Sequence, residues 1–146
     1  MLNYRLVEPR LLIDISGIAA LSYIRIENGM VEIGAATRQI ELERWPELSE
    51  KVPLLHAAIP FIGHYQTRSR GTVCGSLAHA DPSSELPLCL ATLGGEVVLR
   101  SAGATRTLKA DDFQTGMLAT AKRDDELICA ARYPLARDGE GYAFTP

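Results

Sequence analysis

The run from Arg68 to Pro87, RSRGTVCGSLAHADPSSELP, concentrates the residues of this chain that can do chemistry. Two arginines, two glycines, several hydroxyls, a histidine and two acids stand between apolar flanks. A loop this polar in a compact domain usually lines a site rather than a core. Gly71 and Gly75 let backbone approach a ligand closely. Consecutive N–H donors in such a loop suit a pyrophosphate or the edge of a flavin ring. Thr72, Ser76, Ser83 and Ser84 add neutral hydrogen-bond partners, and Glu85 is placed to accept from a ribose or ring N–H. On residue types alone, an ordinary turn is the favoured reading.

The elements around this run must position it. Leu11-Leu12-Ile13-Asp14-Ile15 reads as a buried strand ended by Ser16-Gly17. Ser22–Glu27 and Met30–Ala35 form a hairpin about Asn28-Gly29, a type I′ signal. Thr37 is the expected cap of a short helix through Arg44, with Glu41 in its first turn. Pro46 and Pro53 break the next region, and Leu54, Leu55, Ala58 and Ile62 recur at helical spacing in a core helix. Ser83 or Ser84 caps another helix, because Pro87 lacks an N–H and must lie in its first turn; Gly94-Gly95 ends it. That helix points its positive end toward the polar run. Further strands are expected at Glu96–Ser101, Ala104–Leu108 and Glu126–Tyr133, the last stopped by Pro134. About six strands and three helices, joined by hairpins rather than strict βαβ alternation, make the fold class α+β: a mostly antiparallel sheet with flanking helices.

Composition narrows the function. The 146 residues fit one domain, with 47% hydrophobic and 23% charged residues, near the globular average. A net charge of −3 argues against nonspecific nucleic-acid binding. No apolar run approaches the roughly 18 residues of a membrane-spanning helix. The first residues lack a basic, apolar leader, so the cytoplasm is the expected compartment. Cys74, Cys89 and Cys129 are odd in number and form no C-x-x-C, which supports neither a disulfide framework nor a zinc ribbon. Cys89 and Cys129 read as buried small hydrophobes, and Cys74 as the cysteine in a functional position.

The order of residues in the polar run resembles the FAD-binding domain of molybdenum hydroxylases, the family of xanthine dehydrogenase and the medium subunit of aerobic carbon monoxide dehydrogenase. The family's second flavin loop is similar to R-N-R-G-T-x-G-G-S-L-A-H-A-D-P-x-x-E-L-P. Arg68, Arg70, Gly71, Thr72, Gly75, Ser76, Leu77, Ala78, His79, Ala80, Asp81, Pro82, Glu85, Leu86 and Pro87 match it in order. Asn3-Tyr4-Arg5-Leu6, Leu12-Ile13-Asp14-Ile15, Ile33-Gly34-Ala35-Ala36-Thr37 and Asp125-Glu126-Leu127 through Pro134 also look like family segments. The resemblance implies the second lobe of the FAD-binding domain over residues 1–134, without the N-terminal lobe. Residues 135–146 would begin a linker to a C-terminal domain.

The same resemblance implies roles. Thr72, Gly75 and Ser76 would contact the flavin or its diphosphate. His79 and Ser84 would lie near the isoalloxazine or ribityl chain, and Glu85 would hydrogen-bond the cofactor. Cys129 falls where a Leu commonly packs against the ring system. Cys74 replaces the first glycine of the usual pair, and its Cβ would disfavour positive φ and crowd the cofactor. The family's first flavin loop, similar to A-G-G-x-S-L, would lie just upstream of Met1, so the chain looks like the middle of a flavoprotein subunit. Partners implied are a molybdopterin-binding large subunit and an iron–sulfur small subunit, with self-association also expected. No catalytic residue and no metal ligand is assigned. The rival reading is a flavin-free interaction or scaffold module, and a weaker third is a small-ligand domain reusing the same loop.

Other polar residues have structural readings. Arg68 and Arg70 either steer an anion or partner, or pair with acids such as Glu85 or Asp81. Asp81 before Pro82 suits a turn. Asp111-Asp112 and Arg123-Asp124-Asp125-Glu126 read as solvated turns. His56 reads as a satisfied structural residue, His64 as packing or loop entry, and Trp45 as an edge contact.

Overall fold

The computed structural model describes Tyr4 and residues 8–145. Of the segment Asn3-Tyr4-Arg5-Leu6, all but Tyr4 lies outside the described residues. The hairpin forms as the Asn-Gly pair requires. β1 (Ile24–Glu27) and β2 (Met30–Gly34) pair antiparallel, and Asn28 and Gly29 take φ of 52° and 74° at the turn. β3 (Glu96–Arg100), β4 (Thr105–Lys109) and β7 (Leu127–Pro134) complete a sheet ordered β1-β2-β7-β3-β4, with every neighbouring pair antiparallel. The sheet is therefore antiparallel with helices beside it, the α+β class.

Alternation assigns its faces. Val31, Ile33, Val97, Leu99, Ala131 and Tyr133 are buried toward the helices. On the other face Arg25, Glu32, Arg132 and Glu96 stand in register across β1, β2, β7 and β3. Glu32 is 3% exposed, and three groups serve its carboxylate. Tyr23 Oη and Arg25 Nη2 donate to Oε1, each at 2.7 Å, and Arg132 Nε donates to Oε2 at 2.6 Å. A buried carboxylate persists only with such partners.

Leu11–Ile15 is not the buried strand its apolar run suggests. Leu11, Leu12 and Ile13 are exposed, Ile15 alone of the segment reaches the core cluster, and among the described residues no strand pairs with it. Without a sheet edge to supply hydrogen bonds, apolar side chains alone do not hold a strand. The backbone instead turns where Ser16 N–H donates to Asp14 Oδ1 at 2.8 Å.

Among the helices, α1 (Gln39–Glu43) begins at Arg38, not Thr37. The Thr37 hydroxyl accepts from Tyr23 N–H (3.0 Å) and donates to Tyr23 O (2.9 Å), so it is not free to cap. Glu41 takes the Arg38 N–H at 2.7 Å. α2 (Leu48–Lys51) fits between the two prolines, and α3 (Pro53–Ala58) buries Leu54, Leu55 and Ala58. A 3-10 turn at Ile59–Phe61, containing Pro60, ends it before the expected Ile62. After α4 (Tyr65–Arg68), the run read as a polar loop contains α5 (Val73–His79). Val73, Cys74 and Leu77 share its buried face, a helical spacing hidden among hydroxyls and glycines. α6 (Glu85–Thr92) starts after Ser84, with Pro87 in its first turn, and Gly94 lies beyond its end with φ 64°. Asp111 and Asp112 are solvent-exposed as expected, but in the first turn of α7 (Ala110–Phe113) rather than in a loop. A small hairpin, β5 (Gln114–Gly116) with β6 (Ala119–Thr120), leads toward β7.

Beyond β7, residues 135–145 run along the same body. Ala136 N–H donates to Lys51 O at 2.9 Å, and the Phe144 ring centroid lies 5.3 Å from that of Phe61. Among the described residues no helix is long and apolar enough to cross a membrane.

Candidate functional site

α5 carries four of the candidate residues, Cys74, Gly75, Ser76 and His79, and its first turn explains their placement. Thr72 is the N-cap, and its Oγ1 accepts the Gly75 N–H at 3.0 Å. A Cβ at position 75 would stand 2.7 Å from that oxygen, so only glycine leaves the cap undisturbed. Thr72, Gly75 and Ala78, three residues apart, form one wall of a cleft of about 250 Å³. Ile15, Ala35 and Cys74 line it further, and Lys122, Glu126, Leu127 and Ile128 form the remaining wall. The surface is small and apolar along α5 and ends in a pair of charged side chains.

The remaining sequence candidates are distributed around α5 and α6. Ser76 Oγ and Ser84 Oγ lie 2.9 Å apart, one hydroxyl donating to the other and linking the two helices. Ser84 occupies the N-cap position of α6, but its side chain makes no cap bond. Glu85 is half-buried in the first turn of α6. His79 is exposed in the last turn of α5. Ala80 beyond it adopts φ 52° and is buried, and its carbonyl accepts the Leu118 N–H at 3.0 Å, seating the β5–β6 hairpin against the end of α5. Asp81 serves a turn as its position before Pro82 suggests: Oδ1 accepts from Ser83 Oγ at 2.7 Å and Ser83 N–H at 2.9 Å. Those two bonds, the hydroxyl's first, hold its carboxyl below the usual range.

Cys74 departs from its sequence reading. It sits inside α5 at 3% exposure, and its Sγ points to Ile33 O at 3.7 Å. It is not among the non-glycine residues with positive φ, so the strain anticipated for a Cβ there does not arise. Burial pushes its thiol up to about 12. Cys129 is half-buried rather than fully buried. It is the extra residue of a bulge: Ala130 faces Val98 and Ile128 faces Leu99, leaving Cys129 without a partner in β3. Its carbonyl accepts Ala35 N–H at 2.9 Å, tying the bulge to the end of β2 beside the cleft. Burial raises its thiol as well.

Two charged groupings differ from their sequence reading. Arg68 pairs with neither Glu85 nor Asp81. Its Nε donates to Glu43 Oε2 at 2.8 Å, and Nη1 donates to Ile62 O and Gly63 O, each at 3.1 Å, fixing the turn before α4. Arg70 is exposed. Glu126 is not a solvated turn residue: its side chain is 5% exposed. Oε1 accepts from Arg106 Nε at 2.6 Å, and Oε2 accepts from Arg106 Nη2 at 2.8 Å and Arg123 N–H at 2.7 Å. Arg106 first, then the Arg123 N–H, lowers its carboxyl to about 2. Lys122 beside it, absent from the sequence candidates, donates from Nζ to Arg123 O at 2.9 Å and Glu126 O at 3.3 Å. The local signal was only a run of mixed charge, and the contact with α5 is made through the fold.

Comparison with known proteins agrees with this architecture. The caffeine dehydrogenase subunit beta of Pseudomonas sp. (strain CBB1) is 33% identical over 145 residues, covering 99% of this chain and 49% of that protein. The carbon monoxide dehydrogenase medium chain of Hydrogenophaga pseudoflava is 34% identical over 144 residues, covering 99% and 50%. A solved structure, reconstituted CO dehydrogenase from Oligotropha carboxidovorans, superposes with a TM-score of 0.91 at 34% identity, covering 96% of this chain and 49% of the other. The chain thus spans about half the length of the curated relatives it matches. The family described as the FAD binding domain in molybdopterin dehydrogenase matches residues 1–136, and the chain belongs to that family.

Proposed function

We propose that this chain forms one wall of an FAD site in a molybdenum-dependent oxidoreductase. The observation that carries the reading is the Thr72–Gly75 cap, which leaves bare backbone at the cleft where a Cβ would stand 2.7 Å from the cap oxygen. A glycine held this way favours close approach of a planar group. The apolar neighbours Ala78, Ile128 and Leu127 suit a ring system, and Thr72 offers a hydroxyl at the edge. The residues present therefore fit a flavin.

In this reading Thr72, Gly75 and Ser76 meet the flavin or its diphosphate, and Ser84, Glu85 and His79 extend that contact along α6 and the end of α5. Cys129 packs near the ring from the β7 bulge. Cys74 serves from beneath, as core packing that fixes the α5 backbone rather than as a thiol contact. The flavin, when bound, supplies the redox chemistry, taking electrons from iron–sulfur centres and passing them to an external acceptor. With three cysteines in the chain, those centres belong on a partner small subunit, and substrate oxidation on a molybdopterin-binding large subunit. Leu11, Leu12 and Ile13, exposed at 73%, 69% and 76%, supply apolar surface for such a partner or for self-association.

A cleft of about 250 Å³ encloses only part of a dinucleotide. Pockets that enclose a drug-sized ligand run from roughly 300 to 1,000 Å³. Titrating FAD into the purified chain, followed by quenching of flavin fluorescence, should give saturable binding weaker than that of a closed pocket. Absence of saturable binding would favour the flavin-free interaction module.

A further inference from the structure

Lys122 is the cationic group of the cleft, and its surroundings leave its charge uncompensated. Its Nζ donates to two neutral carbonyls, Arg123 O at 2.9 Å and Glu126 O at 3.3 Å. An ammonium carries three donors, so one remains to be directed. The carboxylate next to it, on Glu126, is held on both oxygens by Arg106 and by the Arg123 N–H. Among the described residues no ion pair joins Lys122 to an acid. Arg106 thus takes the anion that would otherwise pair with Lys122, and the cleft holds the Lys122 ammonium without an ion-pair partner beside Ala35, Ala78 and Ile128.

We infer that Lys122 is a potential-setting residue for the bound flavin, holding the negative charge that the ring acquires on reduction. The inference rests on the proposed flavin site. Two electrons and one proton convert the neutral oxidised ring to a reduced ring bearing one negative charge. A cation beside the ring favours that charged form over the neutral one. Charge near the ring is one of the levers by which a protein tunes flavin electronics. The carbonyl contacts of Lys122 fix where the ammonium stands, so its effect falls on one edge of the ligand.

The test compares the affinity of the intact chain for oxidised FAD and for FAD reduced with dithionite, both under anaerobic conditions. The variants are Lys122→Gln, Lys122→Arg and, as a control outside the cleft, Lys51→Gln. Matching circular dichroism and thermal midpoints establish that each variant is folded. Lys122→Gln should weaken binding of reduced FAD about tenfold more than binding of oxidised FAD. By linkage that lowers the two-electron midpoint potential by about 30 mV. Lys122→Arg should keep most of the preference, and Lys51→Gln should leave it unchanged. Equal weakening of both forms, or none, would overturn the inference while leaving the flavin reading standing. Failure of the unaltered chain to bind either form would overturn both, a distinct outcome.

Discussion

Thr72 and Gly75 form a single device: the threonine oxygen takes the glycine N–H at 3.0 Å and occupies the space a side chain at position 75 would need. The bond starts α5 and also keeps the cleft wall bare. Losing the cap in Thr72→Ala should cost about 1 kcal/mol, while Thr72→Ser retains an oxygen and should cost less. Urea unfolding of the two variants measures the difference. Gly75→Ala adds helix propensity worth about 1 kcal/mol but displaces the cap oxygen, so its stability should change little. Its FAD affinity should fall at least tenfold.

Cys74 tests whether its side chain belongs to the core or to the ligand. Cys74→Gly places a glycine in α5 and leaves a void against β2, costing roughly 2 kcal/mol in urea unfolding. FAD affinity should not improve. Burial holds the Cys74 and Cys89 thiols at about 12, so neither should react with Ellman's reagent at pH 8 in the native state. Cys129, half-buried, should react first.

Glu32 ties the polar face of the sheet. Glu32→Gln leaves Arg25 and Arg132 without their shared anion. Removing one partner of a fully buried pair costs roughly 3–5 kcal/mol, but Arg25 is half-exposed and can rehydrate, so about 2 kcal/mol is expected here. Burial first, then Glu32, raises the Tyr23 phenol to about 12. In Glu32→Gln that value should fall toward 10 without reaching it, because the burial remains. Ultraviolet absorbance titration reports the change.

The Arg106–Glu126 pair gives the fold an acid-sensitive element. The Glu126 carboxyl is lowered from 4.5 to about 2 in the folded chain. Its contribution is complete above pH 4.5 and is lost as pH falls from there to about 2. Urea midpoints measured across that range should converge for the unaltered chain and Arg106→Gln as acid is added. Parallel curves would show that the pair makes no linked contribution.

Much of the fold was legible because local signals and tertiary packing agree. Asn28-Gly29 prescribes its turn wherever the strands pair, and Pro87 with Gly94 bounds α6 from within its own sequence. The polar run was legible as a place but not as a shape. Gly71, Gly75 and the hydroxyls signal a loop, while the spacing of Val73, Cys74 and Leu77, which shows a helix, becomes apparent only against β2 and β7. Leu11–Ile15 failed in the opposite sense: its apolar residues signal burial, but among the described residues no strand edge receives them. Glu126 and Lys122 were hidden for a related reason. Arg106, which takes the Glu126 carboxylate, is 20 residues upstream, and α5, which faces Lys122 across the cleft, is further still. A charge run does not disclose which of its members the fold will bury.

Whether the α5 cleft receives a flavin is measured most directly by FAD binding to the unaltered chain beside Gly75→Ala. Flavin fluorescence should quench saturably with the unaltered protein and shift at least tenfold toward higher concentration with the variant, while circular dichroism of the two remains the same. Equal titrations for both proteins, or no quenching by either, would contradict a flavin site on this wall.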